Sequence, residues 1–222
     1  MRSKFLKGYE WRQDGEYAWY MLMYYPVICK VDLRTNRINK HILIPNKYYV
    51  NTVCQYRHCI KKLNYLYCVP DFGKYILRYD ELGGNFSAIN LGFEGRFRDC
   101  YLKDNFLYMY SSNGARLLIV ELEQFKVVDD IKIEENTAGF LSMSPSELGL
   151  WFACGNNSRI AYFGFEDRKV NYITLEGVEE AIVDIFISND ILFLGNGKNS
   201  IFMCKCNNIS FIIDGKKISN IL

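Results

Sequence analysis

The sequence is poor in histidine and proline and has no long apolar run. It contains two His and four Pro in 222 residues. No apolar run approaches the roughly 18 residues that a transmembrane helix needs, and the N-terminal segment lacks the apolar region of a signal peptide. Lys plus Arg number 27 and Asp plus Glu number 25, and the basic residues are dispersed, which argues against nucleic-acid binding. We therefore expect a cytoplasmic protein with no membrane association and no nucleic-acid partner.

The common catalytic and cofactor motifs are also absent. The sequence has no P-loop, G-x-S-x-G, H-E-x-x-H, or G-x-G-x-x-G following a strand. His58 and Cys59 are neighbours on a predicted strand, so their side chains would point to opposite faces and could not form a nucleophile–base pair. We expect no catalytic residues, no cofactor and a protein that is not an enzyme.

The eight cysteines are scattered through strand-like segments, which favours reduced, buried thiols. The nearest approach to a metal motif has the spacings C-x4-C and C-x-C, which match no zinc pattern. Its members are Cys54, His58, Cys59, Cys204 and Cys206. The sequence therefore predicts no metal site.

What the sequence has in abundance is aromatic residues: 17 Tyr, 15 Phe and 3 Trp. Such a composition, with few prolines, favours β-strands, and no segment shows a helical apolar period. Aromatic residues follow short apolar runs at intervals of 41 to 48 residues, at Trp19, Tyr67, Tyr108, Trp151 and Phe193. A large apolar residue stands nine positions after each, at Ile28, Ile76, Leu117, Ile160 and Phe202. Thirteen positions after the first three stand acids, Asp32, Asp80 and Glu121.

The third copy of this repeat shows its internal structure best. Residues 96–103, 106–110, 116–122 and 126–133 read as four short strands separated by turn residues. A unit of about 40 to 48 residues with four strands is typical of a propeller blade.

The order of polar residue, turn, apolar–aromatic pair, hairpin, apolar run and acid resembles the general β-propeller repeat, nearest to NHL-like and kelch-like blades. The segments AIVDIFISNDILFLGNGKNSIFM and FRDCYLKDNFLYMYSSNGARLLIVEL carry it most plainly. No Trp-Asp pair, Gly-His pair or repeated Gly-Gly identifies a subfamily. The resemblance implies an all-β, single-domain β-propeller of five four-stranded antiparallel blades over residues 1–222, with approximate blades 1–46, 47–93, 94–135, 136–177 and 178–222. The alternative is part of a six- or seven-bladed propeller.

The resemblance also implies that the hairpin between the second and third strands lies on the same face as the link to the next blade. The hairpins supply Asp71, Lys74, Asn113, Arg116, Asn156, Asn157, Arg159, Asn196, Lys198 and Asn199. The links supply Tyr48, Tyr49, Phe93, Glu94, Arg96, Glu134, Glu135, Asn136, Glu176, Glu179 and Glu180. As candidate partner-binding residues we select Asn113, Arg116, Asn157, Arg159, Asn196, Lys198, Glu135 and Glu179.

A polar residue stands nine positions before each repeating aromatic, on the predicted innermost strand. These residues are Glu10, His58, Asp99, Ser142 and Asp184. One interpretation is structural: they form hydrogen bonds with the backbone of a neighbouring blade, since buried polar groups need partners. The other is a polar ring that lines the channel and holds a ligand.

These features favour a non-catalytic binding module that recognises a protein or peptide on one face of the propeller. A glycan-binding propeller is one alternative, since tyrosines and tryptophans can stack on sugar rings. A hydrolase or lyase with channel-lining carboxylates is the second alternative. A propeller is used for many functions, so the fold does not decide among them.

Overall fold

The structure is a computed structural model that describes residues 8–22, 25–49, 56–111, 116–132, 141–155, 158–175, 178–189, 191–196, 201–205, 211–213 and 216–218. In this part of the chain the regular elements are β-strands and one 3-10 helix, Asn46–Tyr48. None of its helices is both long and apolar enough to cross a bilayer. The prediction of an all-β chain is confirmed.

Two four-stranded sheets make up the first part of the chain. The first contains β1 (Gly8–Asp14), β2 (Tyr17–Leu22), β3 (Val27–Asp32) and β4 (Arg37–Leu43). The second contains β5 (Tyr56–Lys62), β6 (Tyr65–Pro70), β7 (Gly73–Asp80) and β8 (Phe86–Gly95). In both sheets each strand pairs antiparallel with the next one in sequence.

Three further sheets repeat this order. The third contains β9 (Phe97–Lys103), β10 (Phe106–Ser111), β11 (Arg116–Glu121) and β12 (Lys126–Lys132). The fourth contains β13 (Ser142–Pro145), β14 (Gly149–Ala153), β15 (Arg159–Gly164) and β16 (Val170–Thr174). The fifth contains β17 (Ile182–Ser188), β18 (Ile191–Asn196) and β19 (Ile201–Lys205).

The fifth sheet has three strands among the described residues, where four per unit were predicted. The next described strand, β20 (Phe211–Ile213), pairs with β21 (Lys216–Ile218) in a separate two-stranded sheet. The strands predicted for the third unit from turn residues, by contrast, match β9–β12 within one residue at most boundaries.

The acids at the ends of the third strands cap the turns that follow. Asp32 Oδ1 accepts the backbone N–H groups of Arg34 and Thr35 at 2.9 and 2.8 Å. The two carboxylate oxygens of Glu121 accept the N–H groups of Glu123 and Gln124 in the same way. These backbone hydrogen bonds favour the charged carboxylate, so they hold the pKa of both acids below the ordinary value. The acidic repeat position is therefore explained by turn geometry.

Several tight turns place a residue in the left-handed region. Gly15 (φ 61°) and Asn36 (φ 54°) are residue types that adopt it readily, but Leu63 (φ 51°) and Phe125 (φ 51°) are not. Phe125 adopts this backbone while its ring packs 5.9 Å from that of Tyr67. Tertiary packing thus selects a turn residue that local sequence rules would not choose.

The chain divides into two compact units. One comprises Met1–Leu107 with Val120–Val128, and the other comprises Tyr108–Ile119 with Asp129–Leu222. The core of the first unit joins the first two sheets through residues such as Trp19, Ile28, Tyr56 and Leu66. The core of the second unit joins the fourth and fifth sheets through residues such as Trp151, Ile160, Ile185 and Leu192.

Four of the five repeating aromatic residues are buried core residues that contact the following sheet, whereas Phe193 of the fifth sheet is half-buried and packs on Phe186 of the same sheet. Trp19 is 0% exposed, Tyr67 2%, Tyr108 5% and Trp151 9%. Within the first unit Tyr67 packs on Phe125, and within the second Tyr108 packs 6.0 Å from Phe163. Large rings bury much apolar area, so this position stabilises each contact between successive sheets.

An ion-pair group joins the first two sheets away from the core. Glu81 accepts from Lys30 and Lys61, each at 2.9 Å. The Lys30 ammonium also lies 4.4 Å from the Tyr17 ring centroid. Burial raises the pKa of Glu81, but the hydrogen bonds from the two lysines outweigh it, so the pKa lies below its ordinary value.

Replacing Tyr67 with alanine should lower the free energy of unfolding by about 3 kcal/mol, because a buried ring is lost and a cavity is left between two sheets. The control is Leu82→Ala at a side chain that is 79% exposed, which should stay within about 0.5 kcal/mol of the wild type. Urea unfolding followed by circular dichroism measures both. Equal stabilities for the two variants would contradict the packing role.

Glu81→Gln should destabilise the protein at pH 7 by about 1 kcal/mol, because the two ammonium groups lose their anionic partner and keep only one neutral amide oxygen as an acceptor. The folded-state pKa of Glu81 is lowered, so the contribution is present above the unfolded pKa of about 4.3 and is lost as pH falls through the folded pKa. The difference between variant and wild type should therefore shrink below about pH 4. Glu166→Gln, at an exposed turn residue, is the charge-matched control and should show no such effect.

Candidate functional site

The polar residues of the predicted channel position all lie on the first strand of a sheet. Glu10 lies on β1, His58 on β5, Asp99 on β9, Ser142 on β13 and Asp184 on β17. On three of these strands the register shifts at this position, between Gly8 and Trp11, Tyr56 and His58, and Ile182 and Asp184. A bulge leaves backbone groups without a ladder partner, and a polar side chain can supply one.

Ser142 and Asp184 show how this works in the second unit. Asp184 Oδ1 accepts the N–H of Ile185 at 2.9 Å, and the Ser142 hydroxyl donates to the same oxygen at 2.5 Å. Ser142 Oγ also lies 3.4 Å from the Ile185 nitrogen, and nearby Ser144 Oγ accepts the N–H of Ile187 at 2.9 Å. The fourth and fifth sheets are thus joined through the bulge by side chains of the predicted position.

His58 makes the equivalent connection in the first unit. Its side chain is 1% exposed, and Nε2 donates to the carbonyl oxygen of Arg98 in the next sheet at 3.1 Å. A carbonyl oxygen only accepts, so this bond places the proton on Nε2. Asp99 Oδ1 accepts the N–H of Cys100 at 2.7 Å, as Asp184 does from Ile185. The bonds of His58 and Ser142 to the backbone of a neighbouring sheet support the structural interpretation of the polar repeat. Asp99 and Asp184 each accept an N–H of their own strand, and the side chain of Glu10 lies outside the described residues.

His58, Asp99 and Cys100 bring a histidine nitrogen, a carboxylate oxygen and a thiol within 4.8 Å of one another. These are donor types that bind metals. The cluster occupies the same repeat positions as Ser142, Asp184 and Ile185, so the connection between sheets accounts for it. Of the cysteines with near-motif spacing, Cys54 and Cys206 lie outside the described residues, and so does the side chain of Cys204.

A small concave site lies at the end of the second sheet, and we call it the tyrosine pocket. It has a volume of about 130 Å³ and is lined by Lys47, Tyr48, Tyr49, Gly73, Lys74, Tyr75 and Glu94. These residues come from the link before the sheet, the start of β7 after its second hairpin, and the end of β8. In this sheet the hairpin and the links therefore meet on one face, as the resemblance implied.

The 3-10 helix fixes the tyrosines of this pocket. It follows Pro45, whose backbone is extended, and the Tyr48 N–H donates to the Pro45 carbonyl at 3.0 Å. The buried Tyr56 hydroxyl donates to the Tyr48 carbonyl oxygen at 2.9 Å, and the Tyr49 hydroxyl donates to Asn46 Oδ1 at 2.7 Å. The Tyr48 and Tyr75 rings meet edge to face at 5.7 Å. The aromatic wall is thus held by hydrogen bonds and ring packing before any ligand binds.

Basic groups surround this wall. The ammonium of Lys47 lies 4.8 Å from the Tyr48 ring centroid, and that of Lys74 lies 5.6 Å from that of Tyr75. Beside them, the Arg96 guanidinium lies 5.2 Å from the ring of Phe72, which is 46% exposed. Such contacts position cations over rings and leave the basic groups at the surface.

Of the eight selected binding residues, the four that the structure describes do not line the tyrosine pocket. Arg116 pairs with Asp130 at 2.9 Å, and the Arg159 guanidinium lies 4.7 Å from the Tyr172 ring. Asn196 is 7% exposed at the end of β18, and Glu179 is exposed. The other four lie outside the described residues: Asn113, Asn157, Lys198 and Glu135. The predicted binding residues did not include Tyr48, Tyr49 and Lys74, although these stand at the predicted link and hairpin positions.

No protein-family model matches the chain, and no curated protein matches it by sequence. Solved structures do. Virginiamycin B lyase from Staphylococcus aureus has 14% identity and a TM-score of 0.72 over 92% of this chain and 68% of that protein. Sqt1 from Saccharomyces cerevisiae has 12% identity and a TM-score of 0.68 over 95% of this chain and 60% of that protein. Kluyveromyces lactis Hsv2 has 11% identity and a TM-score of 0.64, over 95% and 64%.

These neighbours are β-propellers, so this chain has the β-propeller fold. It spans 60–68% of the length of the three proteins. At such low identity the likeness concerns the fold and not the site.

Ser142→Ala should destabilise the protein by about 1 kcal/mol, because the hydroxyl that joins the fourth and fifth sheets is lost. Exchange of the Ile185 amide hydrogen should accelerate, since its bulge geometry depends on Asp184 and Ser142. Ser188→Ala, on β17 together with Ile185, is the matched control. It should leave the stability and the exchange rate of the Ile185 amide unchanged. Unchanged exchange at Ile185 in the Ser142 variant would be the contrary result.

Proposed function

We propose that this protein is a non-catalytic binding propeller that recognises a protein or peptide through the face carrying the tyrosine pocket. The observation that carries this proposal is the pocket itself: a hairpin and two links converge on a preformed aromatic wall with basic groups around it. Loops on a rigid scaffold are where recognition sites concentrate.

The size of the pocket supports a macromolecular partner. Its volume of about 130 Å³ is below the roughly 300–1,000 Å³ typical of sites for cofactors and small molecules. A cavity of this size accommodates one side chain of a larger partner, while the surrounding face supplies the rest of an interface.

The glycan-binding alternative draws less support from the structure. It requires exposed rings, but Trp19, Tyr67, Tyr108 and Trp151 are buried between sheets. The partly exposed tyrosines of the pocket and the exposed rings of Tyr25, Phe72 and Phe186 are among the described rings to which a sugar has access. The enzyme alternative is suggested by virginiamycin B lyase, one of the structural neighbours. Its candidate carboxylates, Asp99 and Asp184, each accept a backbone N–H in the structure.

The blade count and the location belong to the same proposal. We infer five blades from the five sheets and their constant strand order; part of a six- or seven-bladed propeller is the alternative. A cytoplasmic location suits the buried cysteines Cys29, Cys59, Cys68, Cys100 and Cys154, which form no disulfide among the described residues, because thiols persist in reducing compartments.

The proposal is tested by affinity capture from native lysate with variants at the two ends of the second sheet. The Phe72→Ser, Lys74→Glu double variant alters the pocket face, and Leu82→Ser alters a more exposed apolar residue in the turn between β7 and β8. Wild type and Leu82→Ser should capture a specific partner in similar amounts. The double variant should capture at least tenfold less of it. Capture of no partner, or equal capture by all three proteins, would refute the proposed face.

A further inference from the structure

Resting on the proposed function, we propose that the tyrosine pocket binds an acidic peptide segment in which a carboxylate side chain lies next to an apolar one. The carboxylate would lie between Lys47 and Lys74, and the apolar neighbour would pack on the Tyr48 and Tyr75 rings and on Phe72. The proposal thereby names the chemistry of the partner that the pocket face selects.

The two lysines are suited to this role by their exposure and their position. Both are exposed and both are held against a ring of the pocket. Within the part of the chain that the structure describes, neither ammonium pairs with a carboxylate. Other lysines of the same two sheets are engaged differently: Lys30 and Lys61 both bind Glu81. The positive charges of Lys47 and Lys74 are therefore not offset by a carboxylate of the described residues and can attract an acidic partner.

The lining also contains one acid, Glu94, which is exposed. It lowers the net positive charge of the lining but does not reverse it, since the lining contains two lysines and one acid. Its effect on an acidic ligand should be repulsive, so Glu94 and the lysines give the proposal two tests of opposite sign.

The apolar part of the partner follows from the surface beside the charges. Tyr48, Tyr49 and Tyr75 are half-buried, and Phe72 is 46% exposed under the Arg96 guanidinium. An exposed ring next to a side-chain-sized cavity is the kind of anchor site that aromatic or aliphatic residues fill. An acidic segment with apolar residues among its glutamates meets both requirements at once.

The test uses three fluorescein-labelled peptides that differ only in charge. The first has the sequence Gly-Glu-Phe-Glu-Glu-Phe-Glu-Gly, and the other two carry Gln or Lys in place of Glu. Fluorescence anisotropy with the whole protein should show binding of the Glu peptide at least tenfold tighter than of the Gln peptide, and weakening with added salt. Tighter or equal binding of the Lys or Gln peptide overturns the proposal, as does the absence of binding by all three.

Variants locate the binding on the pocket. The Lys47→Gln, Lys74→Gln double variant should lower the affinity for the Glu peptide by about fivefold. Glu94→Gln should raise that affinity by about twofold. Lys169→Gln, at an exposed lysine in the turn between β15 and β16, is the charge-matched control and should leave affinity unchanged. An equal loss in the control would show nonspecific attraction to positive charge and would overturn the assignment to the pocket.

The two proposals fail in distinguishable ways. If lysate capture depends on Phe72 and Lys74 but none of the peptides binds, the binding face stands and the acidic chemistry is wrong. If the Glu peptide binds at another surface, with the pocket variants unaffected, this inference is wrong whatever the capture experiment shows. Chemical-shift changes on titration with the Glu peptide would identify that surface.

Discussion

The structure depends on the burial of one aromatic residue from each of the first four sheets against the following sheet. A four-stranded antiparallel sheet has two faces, and a small sheet cannot bury either of them alone. Each of the first four sheets buries part of one face by contributing a large ring to the contact with the next sheet. These rings belong to Trp19, Tyr67, Tyr108 and Trp151. Because every sheet needs a neighbour for its stability, the repeat stabilises an array and not a single hairpin unit.

Polar groups are placed where this apolar packing would otherwise leave backbone groups without partners. A bulge on β17 interrupts the ladder, and Ser142 and Asp184 both accept the Ile185 amide beside it. Asp99 accepts the Cys100 amide at the same repeat position of the third sheet. His58 does the same for a carbonyl oxygen of the next sheet. The residues that most resembled a catalytic or ligand-binding ring in the sequence thus contribute to the connections between sheets. Residues used in this way are costly to replace, since a buried group without a partner is destabilising.

Binding chemistry, in contrast, is carried where strands end. The strands of the second sheet fix Tyr56 and Tyr75, and these in turn hold the short helix that presents Tyr48 and Lys47. The loops of a rigid sheet can vary without loss of the core, which is how one architecture serves unrelated functions. The proposed acidic ligand follows from this local arrangement and not from the likeness to any solved propeller.

The sequence alone determined the strand content, the period of the repeat, the positions of the buried aromatics and most turn boundaries. These follow from local rules: alternation of side chains along strands, turn-forming residues and the cost of exposing large rings. It also indicated the hairpins and links from which the pocket is built. Tertiary structure decided the rest. It placed Phe125 in a turn conformation that its residue type disfavours, gave the fifth sheet three strands among the described residues, and bonded His58 and Ser142 of the polar repeat to neighbouring sheets. It also brought Tyr48 and Tyr75, 27 positions apart, into edge-to-face contact, because such contacts depend on how segments distant in sequence pack together.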